Sequence, residues 1–314
     1  MKKQAKYKTV IYELKLDHPL TSRQKREIQK LAALPDEKID TSDIPELPSG
    51  GLYIRIKEAI LDKEVVDRFR KLENELAKKS PNSMIEAEDL ARRITDPQTA
   101  HADEIWRRTW TKPLYANTRV SIGTKWVQQL EPYMKGSWRH WGMDNKTVLI
   151  KKTGKGIARS SFELNEAAAD IQRITRIAVH RLYAIQGAAR ALRARAAENE
   201  TPYADLIDVD YGEMVPAIQQ EMGTGWGNIT VLHFLTDLGL ACKPDRHLAR
   251  TVQHLWPSLN LGEREVPSLS EAIQINQRVR WLVEELDGSF SPARLRYIDK
   301  ILMEISKQGL IPNP

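Results

Sequence analysis

From Pro81 onward the apolar positions recur at three- and four-residue intervals, the period of helices that bury one face. This rhythm predicts helices over 84–95, 101–110, 118–134, 163–183, 187–198, 211–221, 228–239, 246–256, 270–287 and 291–308. Ahead of it the pattern changes. Residues 9–16 alternate in part like a half-buried strand, and 52–56 read as a second one. Thr21-Ser22 offers a cap for a helix over about 23–34, which Pro35 stops, and a charged helix is expected over about 60–80. Between them, 35–50 is rich in Asp and Pro, ends in Pro-Ser-Gly-Gly, and reads as a linker. The stretch near 136–162 has no clear period and is expected to be a loop or insertion. The predicted organisation is an appendage and linker over 1–83, able to form a small α/β unit, followed by a helical domain over 84–308.

Composition narrows the class without naming a function. A chain of 314 residues with 41% hydrophobic and 29% charged residues suits a globular protein with a full core. No apolar run reaches membrane-spanning length and the first residues lack a signal-peptide core, so no membrane contact and a cytoplasmic location are expected, beside the nucleoid in a bacterium. One cysteine, Cys242, excludes an internal disulfide framework. The net charge of +6 is unevenly spread. Residues 151–200 hold ten Lys/Arg against five Asp/Glu, whereas 201–250 hold three against seven. Such a balance is compatible with nucleic-acid binding and does not demand it.

The most informative segment begins at Met222-Gly223-Thr224-Gly225-Trp226-Gly227-Asn228 and ends at Pro244-Asp245-Arg246-His247. The glycines allow a tight turn and close approach of a ligand to the main chain. Ile229, Val231, Leu232, Phe234, Leu235 and Leu238 follow at helical spacing, and Gly239 stands where a C-cap is expected. A Gly-x-Gly turn opening a helix leaves amides facing outward, a ready site for one phosphate. Asp245 follows Gly225 by twenty residues. Read from the residues alone, Pro-Asp at a helix start is a capping arrangement, and the glycines are an ordinary turn into a helix.

Turn, spacing and Pro-Asp-x-His together resemble the helix-hairpin-helix, Gly/Pro-Asp superfamily of DNA glycosylases. The family pattern is Leu-Pro-Gly-Val-Gly-x-x-Thr-Ala, a helix, then Val-Asp-x-His. Met222 replaces the usual proline here, and Asn228-Ile229 replaces Thr-Ala. Weaker likenesses extend the resemblance over about 84–308. Leu182-Tyr183 and Gly187-Ala188-Ala189-Arg190 look like the family's Gly-x-Tyr…Lys-Ala segment, and the stretch from Asn117 to Ile122 looks like its early helix. The resemblance implies a mainly α, two-lobed helical fold with the α/β appendage, and a hairpin and catalytic loop over 222–250. It implies a monomer that binds double-stranded DNA and hydrolyses the N-glycosidic bond of a damaged or modified base.

In that scheme Asp245 is the catalytic carboxylate, which steadies positive charge on the deoxyribose and orients a water. Gly223, Gly225, Trp226 and Gly227 meet the DNA strand, with Trp226 facing DNA, and His247, Arg250 and Arg190 add contacts. The family often holds a monovalent cation, K⁺ or Na⁺, on backbone carbonyls of the hairpin, here 222–227. Gly227 stands where bifunctional members carry a Schiff-base lysine, so no β-lyase step is expected; Lys243 reads as a solvated loop lysine. A single cysteine implies no iron–sulfur cluster. Asn117 is the plug that fills the gap of a flipped base, or a plain cap before Thr118. Trp106, Trp110, Trp126, Trp138 and Trp141 are candidates for a stacking wall. No histidine has metal-ligand spacing, and Lys-Lys-Thr-Gly-Lys-Gly lacks the spacing of a phosphate loop. A non-catalytic DNA-binding module and a transcriptional regulator are the rival readings.

Overall fold

The computed structural model describes residues 52–116, 118–143, 147–151, 161–259, 261 and 267–312. The chain divides into two compact units, Met1–Ala59 and Ile60–Pro314. The strand, helix and linker expected over 9–50 lie outside the described residues. The second strand does not form. Residues 52–56 belong to a helix, α1 (Leu52–Lys79), because Leu52, Ile56 and Ile60 also fit a four-residue spacing that the charged continuation shares. The expected boundary at 83 falls within the second unit, where α2 (Pro81–Arg92) follows α1 after one residue.

The described chain is mainly helical. After α2 come α3 (Ala102–Thr109), α4 (Lys112–Tyr115), α5 (Val120–Met134) and α6 (Trp138–Trp141). The region read as an insertion contains α6 and an antiparallel pair, β1 (Thr147–Lys151) and β2 (Ser161–Asn165), in a register that sets Leu149 opposite Glu163. Asn165 ends β2 and caps α7 (Glu166–Thr175): its Oδ1 accepts from Ala168 N–H at 2.9 Å, and its Nδ2 donates to the carbonyls of His140 and Trp141.

The helix expected over 163–183 is two helices. Arg176 adopts φ 57°, left-handed backbone, and ends α7; α8 (Val179–Glu198) then runs on without a break through Gly187. Glycine there is not punctuation. A Cβ on Gly187 would lie 2.1 Å from Met222 O, so the residue is small to let the next helix pair close in.

Five α-helices follow among the described residues: α9 (Tyr211–Met222), α10 (Asn228–Asp237), α11 (Arg246–Leu255), α12 (Leu269–Asp287) and α13 (Pro292–Lys307). Their ends agree with the sequence reading to within two residues. Asp210 caps α9, Ser268 and Glu271 form a reciprocal capping box on α12, and Ser291 with Pro292 opens α13.

Two clusters of buried side chains divide the second unit. One gathers residues from α3 to α10, including Trp106, Leu182, Ile185, Phe234 and Leu235. The other joins Phe69 and Leu76 of α1 to Leu248, Val252, Val279, Leu295 and Ile298 of α11–α13. Burying each such large apolar side chain stabilises the fold by about 1.5–3 kcal/mol. The segment between α10 and α11 passes from one to the other: Leu240 and Ala241 belong to the first cluster, Cys242 to the second.

Candidate functional site

The hairpin between α9 and α10 is built by backbone geometry. Gly223 N–H donates to Gln219 O at 2.8 Å, and Trp226 N–H returns to Gly223 O at 3.2 Å. Gly225 has φ 97°, and a Cβ there would stand 2.5 Å from the Ala184 Cβ on α8. Any other residue would need both a strained backbone and a displaced neighbour. Gln219 braces the turn from within, its Nε2 donating to Trp226 O at 3.3 Å and Asn228 Oδ1 at 2.6 Å. Gly227 is the N-cap of α10, with no side chain to satisfy the first turn. Among the described residues the amides of Thr224, Gly225, Gly227 and Asn228 have no hydrogen-bond acceptor, so the turn presents free N–H groups.

Trp226 does not face outward. It is buried (3% exposed), its indole N–H donates to Ala184 O at 2.9 Å, and its ring meets Phe234 edge-on. A large apolar ring at a hairpin tip gains more from the crevice beside α8 than from water. Trp106, Trp110, Trp138 and Trp141 are likewise core residues. Trp126 is half-buried under the Arg181 guanidinium, 4.8 Å from its ring centre.

The chain leaves α10 by a hydrogen-bonded reversal. Gly239, at φ 65°, donates to Thr236 O at 3.1 Å, and Leu240 donates to Leu235 O at 2.9 Å, the two bonds of a Schellman cap. Ala241 N–H reaches the same Leu235 carbonyl. The chain therefore reverses direction at the last turn of α10 before it crosses to the second cluster at Cys242.

Asp245 ends this segment as the N-cap of α11. Its Oδ1 accepts from His247 N–H at 2.8 Å and Leu248 N–H at 3.0 Å, and the residue is half-buried. Among the described residues Oδ2 has no hydrogen-bond donor. The capping role is thus realised, and one oxygen remains outside it.

Charged and polar groups surround the loop. Lys112 of α4 pairs with Asp237 at the end of α10. Asp299 of α13 is buried; burial pushes its carboxyl up to about 6, with Asp245 adding to the rise and the Arg296 guanidinium and Cys242 thiol opposing it. Arg296 pairs with that carboxylate directly. Burial, helped by the negative charge of Asp299, pushes the Cys242 thiol well above the usual range. Burial also pushes His233 down to about 3, with Lys243 and Lys112 repelling its proton. Lys243 is an exposed loop lysine, as expected; desolvation and Lys112 hold its ammonium below the usual lysine value against the pull of Asp245 and Asp299.

The remaining expected contacts are dispersed. Among the described residues Arg250, half-buried on α11, forms no ion pair. One ring nitrogen of His247 lies 3.2 Å from Ser306 Oγ on α13, so that ring is engaged inside the fold. Arg190 lines a cavity of 530 Å³ with Arg195, Asp205 and Glu221, where acids offset the bases. Asn117 lies outside the described residues. Tyr211 and Asn276, which the sequence reading passed over, both grip the segment before Asp245. A signal existed for Asn276: it shares a helix face with Ala272, Val279 and Val283, all buried, so a polar side chain there needs a partner.

Comparison with family models, curated proteins and solved structures finds no match to this chain.

Proposed function

We propose that the protein is a two-lobed helix-hairpin-helix DNA glycosylase, one that hydrolyses the N-glycosidic bond of a damaged or modified base in duplex DNA and leaves an abasic site. The observation that carries this reading is the carboxylate of Asp245. It is held at a helix start by one oxygen, with the other uncommitted among the described residues, at the end of the loop that follows the hairpin's second helix. The free amides of Thr224, Gly225, Gly227 and Asn228 would take a phosphate of the target strand, which positions the duplex without reading its sequence. Asp245 would then steady the developing positive charge on the sugar as the base departs and orient the attacking water.

No amine stands on the hairpin at Gly227, so hydrolysis rather than imine formation is the expected course at that position. A monovalent cation at the turn fits the donors present. Gly223 O and Trp226 O each accept one protein hydrogen bond and keep a second lone pair, so an ion would displace neither bond. The contact would screen a bound phosphate.

The test is formation of alkali-labile sites in duplexes carrying uracil, hypoxanthine or 7-methylguanine, read on denaturing gels. Wild type should generate such sites in at least one, and Asp245→Asn should bind that duplex and generate none. The non-catalytic reading rests on Asp245 as a helix cap and on the free hairpin amides. It predicts binding without base release from wild type, and equal cleavage by the Asn variant would remove Asp245 from the chemistry.

A further inference from the structure

Two buried polar side chains hold the chain just before Asp245, and neither belongs to that segment. Tyr211, the first residue of α9, donates its hydroxyl to Leu240 O at 2.7 Å. Asn276, fully buried within α12, uses both ends of its carboxamide on one residue. Its Oδ1 accepts from Cys242 N–H at 2.6 Å, and its Nδ2 donates to Cys242 O at 3.2 Å and to Ala272 O at 2.8 Å.

We propose that Tyr211 and Asn276 are positioning residues for the Asp245 carboxylate. This inference rests on the glycosylase reading. A planar carboxamide that meets both the N–H and the C=O of one residue fixes the rotation of the chain there as well as its position. Beyond Cys242 only Lys243 and Pro244 intervene, and the pyrrolidine ring locks φ at Pro244. Few free torsions therefore separate the clamp from the carboxylate. Its far side is pinned by the amides of His247 and Leu248.

The clamp also ties together the parts that have to act in concert. Tyr211 sits at one end of α9, and the other end of that helix runs into the hairpin at Gly223. Asn276 comes from α12, in the cluster that also anchors α11. The segment crosses between the two clusters at Ala241–Cys242, flanked by the two grips at Leu240 and Cys242. A misplacement of about 1 Å in a catalytic group can cost on the order of 100-fold in rate, so rigidity at this crossing bears on chemistry rather than on binding.

The experiment uses the full chain carrying Tyr211→Phe, which removes one hydroxyl and keeps the ring, and separately Asn276→Ala. Single-turnover base release is measured on whichever of the uracil, hypoxanthine or 7-methylguanine duplexes wild type processes fastest. Affinity is measured for a duplex carrying a tetrahydrofuran abasic analogue, and amide exchange is followed across 240–247 in the absence of DNA. The expected result is release slowed about ten-fold or more, affinity for the analogue within two-fold of wild type, and faster exchange in the segment. Tyr211→Phe keeps the test decisive should Asn276→Ala fail to fold. Wild-type release rates in folded variants would overturn the positioning role, and unchanged exchange would overturn the clamp itself. If wild type releases none of the three bases, the glycosylase reading fails, and the exchange measurement still decides whether the segment is clamped.

Discussion

The indole N–H of Trp226 donates to Ala184 O at 2.9 Å, while Gly225, one residue earlier, sits where a side-chain carbon would press on the Ala184 Cβ at 2.5 Å. One turn of α8 thus receives the hairpin twice, once by a hydrogen bond and once by the lack of a side chain. The first consequence concerns Gly225→Ala. A methyl group there meets both a φ of 97° and a packed neighbour, and such strain costs about 1–3 kcal/mol. A urea-unfolding midpoint equal to wild type would mean that the turn relaxes freely and that the close contact with α8 does not govern the hairpin.

Asp245 has a structural duty that any test of its chemistry must separate out. Asn is as good an N-cap as Asp, so Asp245→Asn should leave stability within about 0.5 kcal/mol, while Asp245→Ala should cost about 1 kcal/mol through loss of the bonds to His247 and Leu248. Base release should drop at least about 100-fold in both. Loss of activity in the Ala variant alone would assign Asp245 to capping.

The hairpin, the helix after it and the reversal at Gly239 were legible in the sequence because local rules decide them: φ > 0, a helical period, a cap. The side-chain roles depend on what lies across the fold. Trp226 was read as outward because a hairpin tip is normally exposed, and nothing local announces that Ala184 and Phe234 leave a crevice for it. A new helix was expected to begin at Gly187, because nothing local shows that its close neighbour is Met222 O, thirty-five residues away. Asp299 lies between Leu295 and Leu302 on the apolar face of α13, so its burial could have been read from the pattern, though not its neighbours Arg296, Cys242 and Asp245.

Asp299 and His233 make opposite contributions to stability as pH changes. The Asp299 carboxyl titrates near about 6 in the fold against about 3.9 unfolded, so the native state binds the extra proton between those values. Its contribution is full below about 3.9 and is lost as pH rises through about 6. His233 titrates near about 3 in the fold against about 6.5 unfolded; its contribution is full above about 6.5 and is lost as pH falls toward 3. Relative to wild type, Asp299→Asn should therefore gain stability as pH rises from about 4 to 7. His233→Asn should gain as pH falls over the same range. Urea unfolding at three pH values measures both, and parallel curves for wild type and either variant would refute that assignment.

Arg250 and Arg195 should separate under salt, because one is committed within the fold and the other is not. Arg195 donates to both oxygens of Glu221 at 2.8 and 2.7 Å, to Asp205, and to Pro202 O. Arg195→Ala should cost about 2 kcal/mol, the scale of a hydrogen bond to a charged group, and leave the salt dependence of duplex binding unchanged. Arg250, on the helix that Asp245 opens, has no ion pair among the described residues and is free to meet a phosphate. Each phosphate contact displaces condensed counterions. Arg250→Ala should accordingly weaken binding to duplexes of any sequence and flatten the plot of log affinity against log salt by about one unit, with stability within about 0.5 kcal/mol of wild type. Fluorescence anisotropy from about 50 to 200 mM salt reads the slope. An unchanged slope in Arg250→Ala would place the duplex away from α11, and with it away from Asp245.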